Sequence, residues 1–362
     1  MRAGRAGRHA VRCALGVALG LSLALSGAAA EEPARGRLFR FEFDNDGFLG
    51  SDDGFSAGWS FQLHGAVRDR WDESLPAGIA AVPGLGDDGD GGRVVRWAVR
   101  LSQIVVTPYD VEKPEPQPDD LPWAGSVGIH GTLAAYDDLR LIGVQLYLGC
   151  LGPCSRVEQI QKFIHHDLGW GRWLAGWDHQ LAQRWLANLN VTGSRKLWST
   201  PPEHHGSEHF AADLAISGQV GVGNLATFAQ EQIELRFGRG VPRGFVRLPD
   251  PPGVGIAIDP VFVPTGLHDA VNAPGWSAYG SLVVRFRQVD RLVFADGGRT
   301  RSGYLHPAAD FSLDEPVIIA GLHGGRGRMG VHATYYRYVS GRQQLGMKST
   351  LDWVNLSFDL RF

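Results

Sequence analysis

The chain is poor in cysteine and has no long apolar run beyond its first residues. It has 3 cysteines among 362 residues. After residue 25 no stretch reaches the roughly 20 apolar residues that a membrane-spanning helix needs. If the chain lies in a membrane it must do so as a closed β-barrel, because lipid does not tolerate open strand edges.

An excess of positive charge is also missing. The formal net charge is −3. Residues 1–30 carry four arginines and no acid, so the rest of the chain is near −3 − 4 = −7. Proteins that bind nucleic acid favour a basic patch, so we expect no nucleic-acid partner.

The first 30 residues predict a secretory signal peptide. Four arginines precede an apolar run at 13–25, and alanines at 28–30 provide a cleavage site of small residues. The run is too short for a spanning helix. We expect an exported mature chain that covers residues 31–362.

Most of that mature chain alternates with a period of two, which is typical of strands. At 39–44 three phenylalanines alternate with Arg40, Glu42 and Asp44, and 354–362 alternates up to a terminal Phe362. A soluble β-sandwich would also alternate. Export, many strands and an aromatic last residue favour an outer-membrane barrel instead.

We therefore predict an all-β fold, an antiparallel transmembrane β-barrel of about twelve strands. An even number is usual for single-chain bacterial barrels. The 11 Trp, 17 Phe and 8 Tyr are enough for aromatic belts at both lipid interfaces. Polar inward residues would line a narrow, salt-bridged lumen. The predicted strands lie near 38–46, 55–64, 95–107, 124–136, 139–149, 188–198, 208–221, 223–237, 276–290, 312–323, 326–339 and 349–362.

One segment, near residues 155–168, predicts a helix instead. Ser155 and Glu158 have the spacing of a capping box directly after Pro153. Glu158, Gln161 and His165 share one face at helical spacing, so they can act on one object together. An opposite apolar face is expected to form the buried back of the helix, from Val157, Ile160, Ile164 and Leu168.

Two cysteines flank the start of this helix. Cys150 and Cys154 are four residues apart in a chain that we expect to be exported. This spacing suggests a disulfide in a small loop that fixes the entry to the helix. A zinc site would need further ligands at suitable spacing, which the sequence does not provide.

Several separated motifs resemble the lipid A 3'-O-deacylase family of Gram-negative outer membranes, strongest over residues 39–190. They occur in the family's order along nearly the whole mature chain. They are FDNDG at 43–47, FSAG at 55–58, Thr107-Pro108, PDDLPWAG at 118–125, Gln161-x-x-x-His165 and GWDHQ at 176–180.

The resemblance implies a twelve-stranded barrel in the outer membrane, with its active site at the outer-leaflet end. Such a monomeric enzyme is calcium-dependent and hydrolyses the ester of the 3'-linked acyloxyacyl chain of lipid A, its lipopolysaccharide substrate. The family's site residues fall on Asn45, Asp46, Ser56, Lys113, Gln161 and His165.

The chemistry of these residue types suits ester hydrolysis. The imidazole of His165 titrates near neutral pH, so it is the candidate general base for a water. Calcium held by Asp46 and Asn45 would polarise the ester carbonyl. Gln161 could orient the base or the water, and Lys113 could meet a lipid A phosphate.

Other interpretations of these residues remain open. Ser56 has the inward parity of its strand and could be a nucleophile, although the resemblance favours a water. Asn45 has the parity of the lipid-facing Phe43, so it lies at a rim or past the membrane band. Asp46 could form a turn, and Lys113 could be an ordinary loop lysine.

The chain also departs from the family pattern. The family's Asp-Arg-Pro-Tyr-Ala-Gly segment loses its arginine, because Leu121 stands at that position. A carboxylate found after the histidine in at least one member falls near Gly171 here. Calcium could instead use Asp167 or Glu158. Two alternative functions are a phospholipase-like outer-membrane hydrolase and a non-catalytic narrow barrel.

Overall fold

The structure is a computed structural model of the whole chain. It describes residues 37–45, 55–68, 82–85, 93–169, 171–206, 208–245, 276–308, 316–338 and 352–362. The predicted signal peptide, residues 1–30, lies outside these ranges.

Twelve antiparallel strands form a closed barrel, as the sequence predicted. Each strand forms antiparallel hydrogen bonds with its two neighbours in the barrel. The first and last strands also pair, with Leu38 opposite Arg361, and this pairing closes the barrel. The barrel strands are β1 Leu38–Asn45, β2 Phe55–His64, β3 Val94–Val106, β4 Ala124–Tyr136, β5 Arg140–Leu151, β6 Arg184–Ser199, β7 Phe210–Gly223, β8 Ala226–Arg239, β9 Ser277–Leu292, β12 Val317–Arg326, β13 Met329–Tyr338 and β14 Asp352–Arg361.

A small hairpin outside the barrel was not predicted. It consists of β10 Gly298–Arg299 and β11 Leu305–His306. Two-residue strands are too short to give an alternating pattern, so the sequence carries no signal for them. Among the described residues, no helix has the length and apolar character to cross a membrane.

The alternation of each strand sorts charge to the inside of the barrel. Arg40 and Glu42 are buried, and Arg40 donates from Nε to Asp359 over 2.5 Å. Glu42 accepts hydrogen bonds from Ser60 and Gln62, at 2.8 and 2.6 Å. The predicted salt-bridged lumen is therefore confirmed, and paired side chains fill it.

Apolar layers close the lumen on both sides of this polar middle. Leu121, Leu151 and Phe294 are buried in one layer. Val67 and Phe245 are buried in the other. A packed interior of this kind fits a scaffold better than a channel, which needs an open aqueous lumen.

The two ends of the barrel differ in what their loops carry. We call the end that holds the segments after Asn45, Val106 and Leu151 the helix end, because the helical segment follows β5 there. Leu38 and Phe362 lie at the opposite end, which we call the termini end. Asn45 is the last residue of β1, so it lies at the helix end.

The outer surface is apolar between two sets of exposed aromatic side chains. Trp173 and Trp185 are exposed at the helix end, and Trp198, Phe210 and Trp276 at the termini end. The strands between them expose many aliphatic side chains. Aromatic girdles around an apolar band are typical of outer-membrane barrels.

Candidate active site

The helical segment after β5 is built from three kinds of turn. A 3-10 turn, Pro153–Ser155, precedes the α-helix α1, Val157–Lys162, and a π-helical turn, Phe163–Asp167, follows. Leu168 closes the π turn by donating to the carbonyl of Phe163 over 3.0 Å. Single π turns inside helices occur frequently at functional sites, and His165 lies in this one.

The predicted capping box is wrong. The N-cap residue of α1 is Arg156, at a positive φ of 59°, and no side chain caps the helix. Ser155 instead closes the 3-10 turn, donating from Oγ to the carbonyl of Gly152 over 2.7 Å. Glu158 does not reach back to the start of the helix, because other side chains bind both of its carboxylate oxygens.

The predicted disulfide is present, since the sulfur atoms of Cys150 and Cys154 are bonded. Cys150 lies at the end of β5, and Cys154 lies in the 3-10 turn. The bond therefore ties the last strand residues to the entry of α1.

The helix lies against the outer wall of the barrel. Gln103 and Val105 share the outward parity of the exposed Val99 and Leu101. The Nε2 of Gln103 donates to the carbonyl of Ser155 over 2.7 Å.

The wall beneath α1 allows a close approach. Val157 is buried in a cluster with Val105, and a Cβ at Gly125 would lie 2.5 Å from the Cβ of Val157. Only glycine permits this contact between strand and helix. Gly125 is the last residue of the PDDLPWAG motif at 118–125.

The predicted apolar back of the helix is also wrong. Of its four residues only Val157 is buried, whereas Ile160 and Leu168 are exposed. Glu158 and Gln161 are buried instead. A helix on a lipid-facing wall turns apolar side chains outward, which reverses the rule for a soluble protein.

Glu158 holds the helix to the hairpin. Its Oε2 accepts from Arg301 and from Gln180, each at 2.8 Å, and its Oε1 accepts from Lys162 at 2.6 Å. Arg301 also pairs with Asp178. Both carboxylate oxygens are engaged by these partners, and a calcium ligand at Glu158 stays a prediction from the sequence.

Gln161 lies one helical turn after Glu158 and presents a buried acceptor. Its side chain is 5% exposed. Among the described residues, its Oε1 has no hydrogen-bond partner. A buried oxygen of this kind is satisfied by a water or a cation more readily than by the apolar helix neighbours.

The imidazole of His165 is oriented by the main chain. Its Nδ1 lies 3.1 Å from the carbonyl oxygen of Arg172, which can only accept a hydrogen bond. Nδ1 therefore carries the proton, and in the neutral ring Nε2 carries the lone pair. In this tautomer Nε2, the ring nitrogen that faces away from the Arg172 carbonyl, is the candidate base.

Gly171 makes room for this ring. A Cβ at Gly171 would lie 2.7 Å from Nδ1 of His165, and the residue has a φ of +95°. In the family pattern this position stands near a carboxylate of at least one member. The carbonyl of Arg172 orients the ring here, a role that no side-chain motif could reveal.

His166, the neighbour of His165, has a separate environment. It stacks on Trp173 with 3.6 Å between ring centroids and accepts from the main-chain nitrogen of Leu174. Trp177 is buried against Trp123, so Trp177 shapes the loop, as Gln180 does through Glu158.

The remaining predicted site residues belong to segments at the helix end of the barrel. Asn45 ends β1 on the outward face, and Asp46 lies outside the described residues. Lys113 is exposed in the loop between β3 and β4 and pairs with Asp110 at 3.3 Å. The nearby Val111 carbonyl accepts from the nitrogen of Ala175, so this loop packs beside the residues that follow α1.

The inward parity predicted for Ser56 stays a prediction. The register between β2 and β3 shifts at this point, because Phe55 pairs with Val106 and Ala57 with Val105. The backbone at Ser56 therefore forms a β-bulge or a similar irregularity, where the simple alternation of a strand does not apply. The outward parity of Asn45, by contrast, suits a site on the outer wall.

The predicted calcium ion can be tested against these donors. Within the described part of the chain, no three His, Cys, Asp or Glu side chains converge as metal ligands. The orphaned oxygen of Gln161 and the amide of Asn45 are hard oxygen donors of the kind that calcium takes. They fit the ion if Asp46 adds the charged ligand.

The structure explains why leucine replaces the family's arginine at position 121. Leu121, where the family has arginine, is buried in the apolar layer at the helix end of the lumen. An arginine there would bring an additional buried charge, so this chain seals its lumen at that point by apolar packing.

Comparison with known proteins tests the resemblance over the whole chain. The model of the family described as Outer membrane protein LpxR matches residues 15–362. The chain belongs to the LpxR family. Membership supports the predicted outer-membrane location and, in outline, the predicted lipid A deacylase.

Solved structures agree on the fold. LpxR from Salmonella typhimurium is 11% identical, with a TM-score of 0.63 over 90% of this chain and 100% of that one. The β domain of the Bordetella autotransporter BrkA, also 11% identical, reaches a TM-score of only 0.41 over 91% of this chain and 100% of that one. No curated protein matches the chain.

Proposed function

We propose that this LpxR-family barrel hydrolyses the 3'-linked acyloxyacyl ester of lipid A, with His165 as general base. The observation that carries the proposal is the ring of His165, which the carbonyl of Arg172 orients, four residues after Gln161 and its orphaned oxygen. Both groups lie at the helix end, next to the apolar outer surface.

In the proposed reaction, Nε2 of His165 removes a proton from a water. The oxygen of that water forms a bond to the carbonyl carbon of the ester. When the tetrahedral intermediate collapses, the bond from that carbon to the sugar oxygen breaks. The imidazolium returns the proton to the sugar oxygen, so the products are a fatty acid and a free sugar hydroxyl.

Gln161 has the role of positioning the water. Its Oε1 is a buried acceptor one turn before His165, so a water hydrogen-bonded to it would be presented to Nε2. Lys113 is exposed on the neighbouring loop and would meet a phosphate of the glycolipid.

A calcium ion would be held by Asp46 with Asn45. When bound, it would polarise the ester carbonyl and stabilise the negative charge that develops on its oxygen. The resemblance to the lipid A 3'-O-deacylases and the hard donor set support this assignment.

The outer face of the helical segment is suited to a substrate that stays in the membrane. Phe163 is 53% and Leu168 45% exposed, on the same segment as the candidate base. An amphipathic helix with such a face lies in the lipid interface. The ester of a lipid A molecule in the outer leaflet could then reach Nε2 without leaving the membrane.

The test is mass spectrometry of lipid A from cells that express the protein. Wild type should release the 3'-linked chain, and His165→Gln should lower the rate by roughly 10²–10⁴-fold, the usual contribution of a general base. His166→Gln is the matched control and should keep its activity. Equal activity of wild type and His165→Gln would refute the assigned base.

Calcium is tested on the same wild-type membranes. Chelation should abolish release, and added calcium, but not magnesium, should restore it, because magnesium demands a stricter octahedral geometry. Release that is indifferent to chelation would remove the ion from the mechanism and leave His165 to be judged on its own variant.

A further inference from the structure

We propose that the outer wall at the termini end binds the headgroup of a zwitterionic glycerophospholipid. The site is a groove at the opposite end of the barrel from His165. The proposal depends on the proposed function only for orientation, because a candidate active site in the outer leaflet places the termini end in the phospholipid leaflet.

The groove lies between the turn at residues 82–85 and the outer face of β5 to β8. It has a volume of about 460 Å³. Leu85 of this turn is fully buried against outward residues of the wall, such as Val95 and Val144, so the turn is a fixed side of the groove.

The floor of the groove is flat because it is made of glycine. Gly193 and Gly218 pair directly across β6 and β7, and both line the groove. A Cβ at Gly193 would have no atom within 4 Å. Ile142 and Ile216 also line the groove, so its floor is largely apolar.

Two arginines lie beside this glycine floor, toward the termini end of the barrel. Arg140 pairs directly with Arg195 across β5 and β6, and both are exposed on the outward face. Neither forms an ion pair with any residue in the described ranges. Like charges directly opposite each other destabilise a sheet, and lipid-facing arginines add to that cost.

A phosphate would remove both costs at once. Guanidinium groups bind phosphate oxygens through pairs of parallel hydrogen bonds, and one phosphodiester offers oxygens to two arginines. Arg140 is the first residue of β5, so the pair lies near the end of the barrel, where a headgroup rather than an acyl chain surrounds the protein.

Glu231 selects among phospholipids. It is exposed on the outward face of β8, opposite Gly218, and lines the same groove. It too forms no ion pair within the described residues. Arg93 also lines the groove, but it pairs with Asp137 at 3.8 Å and donates to the carbonyl of Gly84. The charges left for a ligand are therefore the Glu231 carboxylate and the guanidinium groups of Arg140 and Arg195. A headgroup that carries an ammonium next to its phosphate complements them, so we assign phosphatidylethanolamine as the ligand class.

The experiment is native mass spectrometry of the full mature protein in detergent, titrated with phosphatidylethanolamine. Wild type should retain one lipid. Arg140→Gln/Arg195→Gln should bind it roughly tenfold or more weakly, since each charge-assisted bond is strong. Arg37→Gln/Arg239→Gln removes two exposed arginines of the same end outside the groove and should bind as wild type does.

Two further titrations identify the ligand. Phosphatidylglycerol should bind wild type more weakly than phosphatidylethanolamine, and Glu231→Gln should remove that preference. Equal binding by wild type and the Arg140/Arg195 variant would overturn the site. Displacement of the lipid by millimolar inorganic phosphate would overturn the lipid assignment in favour of a simple anion site.

Lipid A release, measured on the same variants, separates the two proposals. Arg140→Gln/Arg195→Gln should still release the acyl chain. A wild-type protein that binds the phospholipid but leaves lipid A intact would refute the proposed function and support the groove.

Discussion

At the scale of single residues, the candidate site depends on a main-chain carbonyl and a glycine. The carbonyl of Arg172 fixes the tautomer of His165, and Gly171 leaves space for the ring. The sequence identified His165 through its spacing from Gln161. It could not identify the orienting group, because every residue has a carbonyl and only the fold selects one.

Gly171→Ala should therefore impair catalysis by displacing the ring. Its Cβ would collide with Nδ1, and a shift of about 1 Å in a reacting group can cost about 10²-fold in rate. We expect kcat for lipid A hydrolysis to fall by that order, with KM nearly unchanged.

Gly169→Ala is the matched control for this variant. Gly169 also has a positive φ, of +67°, but a Cβ there meets nothing within 4 Å. It carries the backbone strain without the collision. Equal losses of kcat in the two variants would assign the effect to strain and not to the ring.

At the scale of elements, an unpredicted hairpin holds the helix that carries the site. Arg301 in the β10–β11 turn contacts Glu158, and the nitrogen of Arg301 donates to the carbonyl of Gln180. We regard Arg301 as a positioning residue, which acts through Glu158 on Gln161 and His165. The partners are 143 residues apart in sequence, so no local pattern could connect them.

Arg301→Ala should loosen α1 without unfolding the barrel. Removing the cation leaves a buried carboxylate with fewer partners, and we expect faster amide hydrogen exchange over residues 157–167 together with a lower kcat. Arg301→Lys should rescue part of both effects, because it restores the charge.

The control for the hairpin is Asp178→Asn. Asp178 is the other partner of Arg301, and its side chain is 81% exposed. Exposed ion pairs contribute roughly 0–1 kcal/mol, so exchange and kcat should both stay near wild type. An unchanged exchange rate in Arg301→Ala would contradict the role of the hairpin.

At the scale of the whole molecule, buried ion pairs between strands stabilise the interior of the barrel. Arg40 on β1 and Asp359 on β14 bridge the seam at which the barrel closes, and His332 donates to the same carboxylate. Asp359→Asn would remove the nearer counter-charge of the buried Arg40 and leave it the longer contact to Glu42, at 4.0 Å. We expect the free energy of unfolding to fall by about 3–5 kcal/mol, measured by urea titration of the folded band in cold gel electrophoresis.

A second variant separates charge from packing at this seam. Arg40→Met/Asp359→Leu removes both charges and should recover most of the lost stability, because a buried ion pair is often replaceable by apolar residues. If the double variant unfolds as easily as Asp359→Asn, the seam would depend on shape and not on charge balance.

The sequence by itself determined the architecture, because strand alternation is local. Period-two patterns located twelve strands and assigned Arg40 and Glu42 to the interior, and the spacing of Cys150 and Cys154 predicted their disulfide. Each of these properties depends on residues a few positions apart, or on the requirement that lipid-facing strands close into a barrel.

Only the tertiary structure decided how the helix is used. The spacing of Val157, Ile160 and Leu168 was correct for an apolar face, yet most of that face points outward. Burial depends on what surrounds a face, and here a β-barrel wall lies on one side and lipid is expected on the other. The polar face is buried because Arg301 and Gln180 arrive from distant parts of the chain to satisfy Glu158.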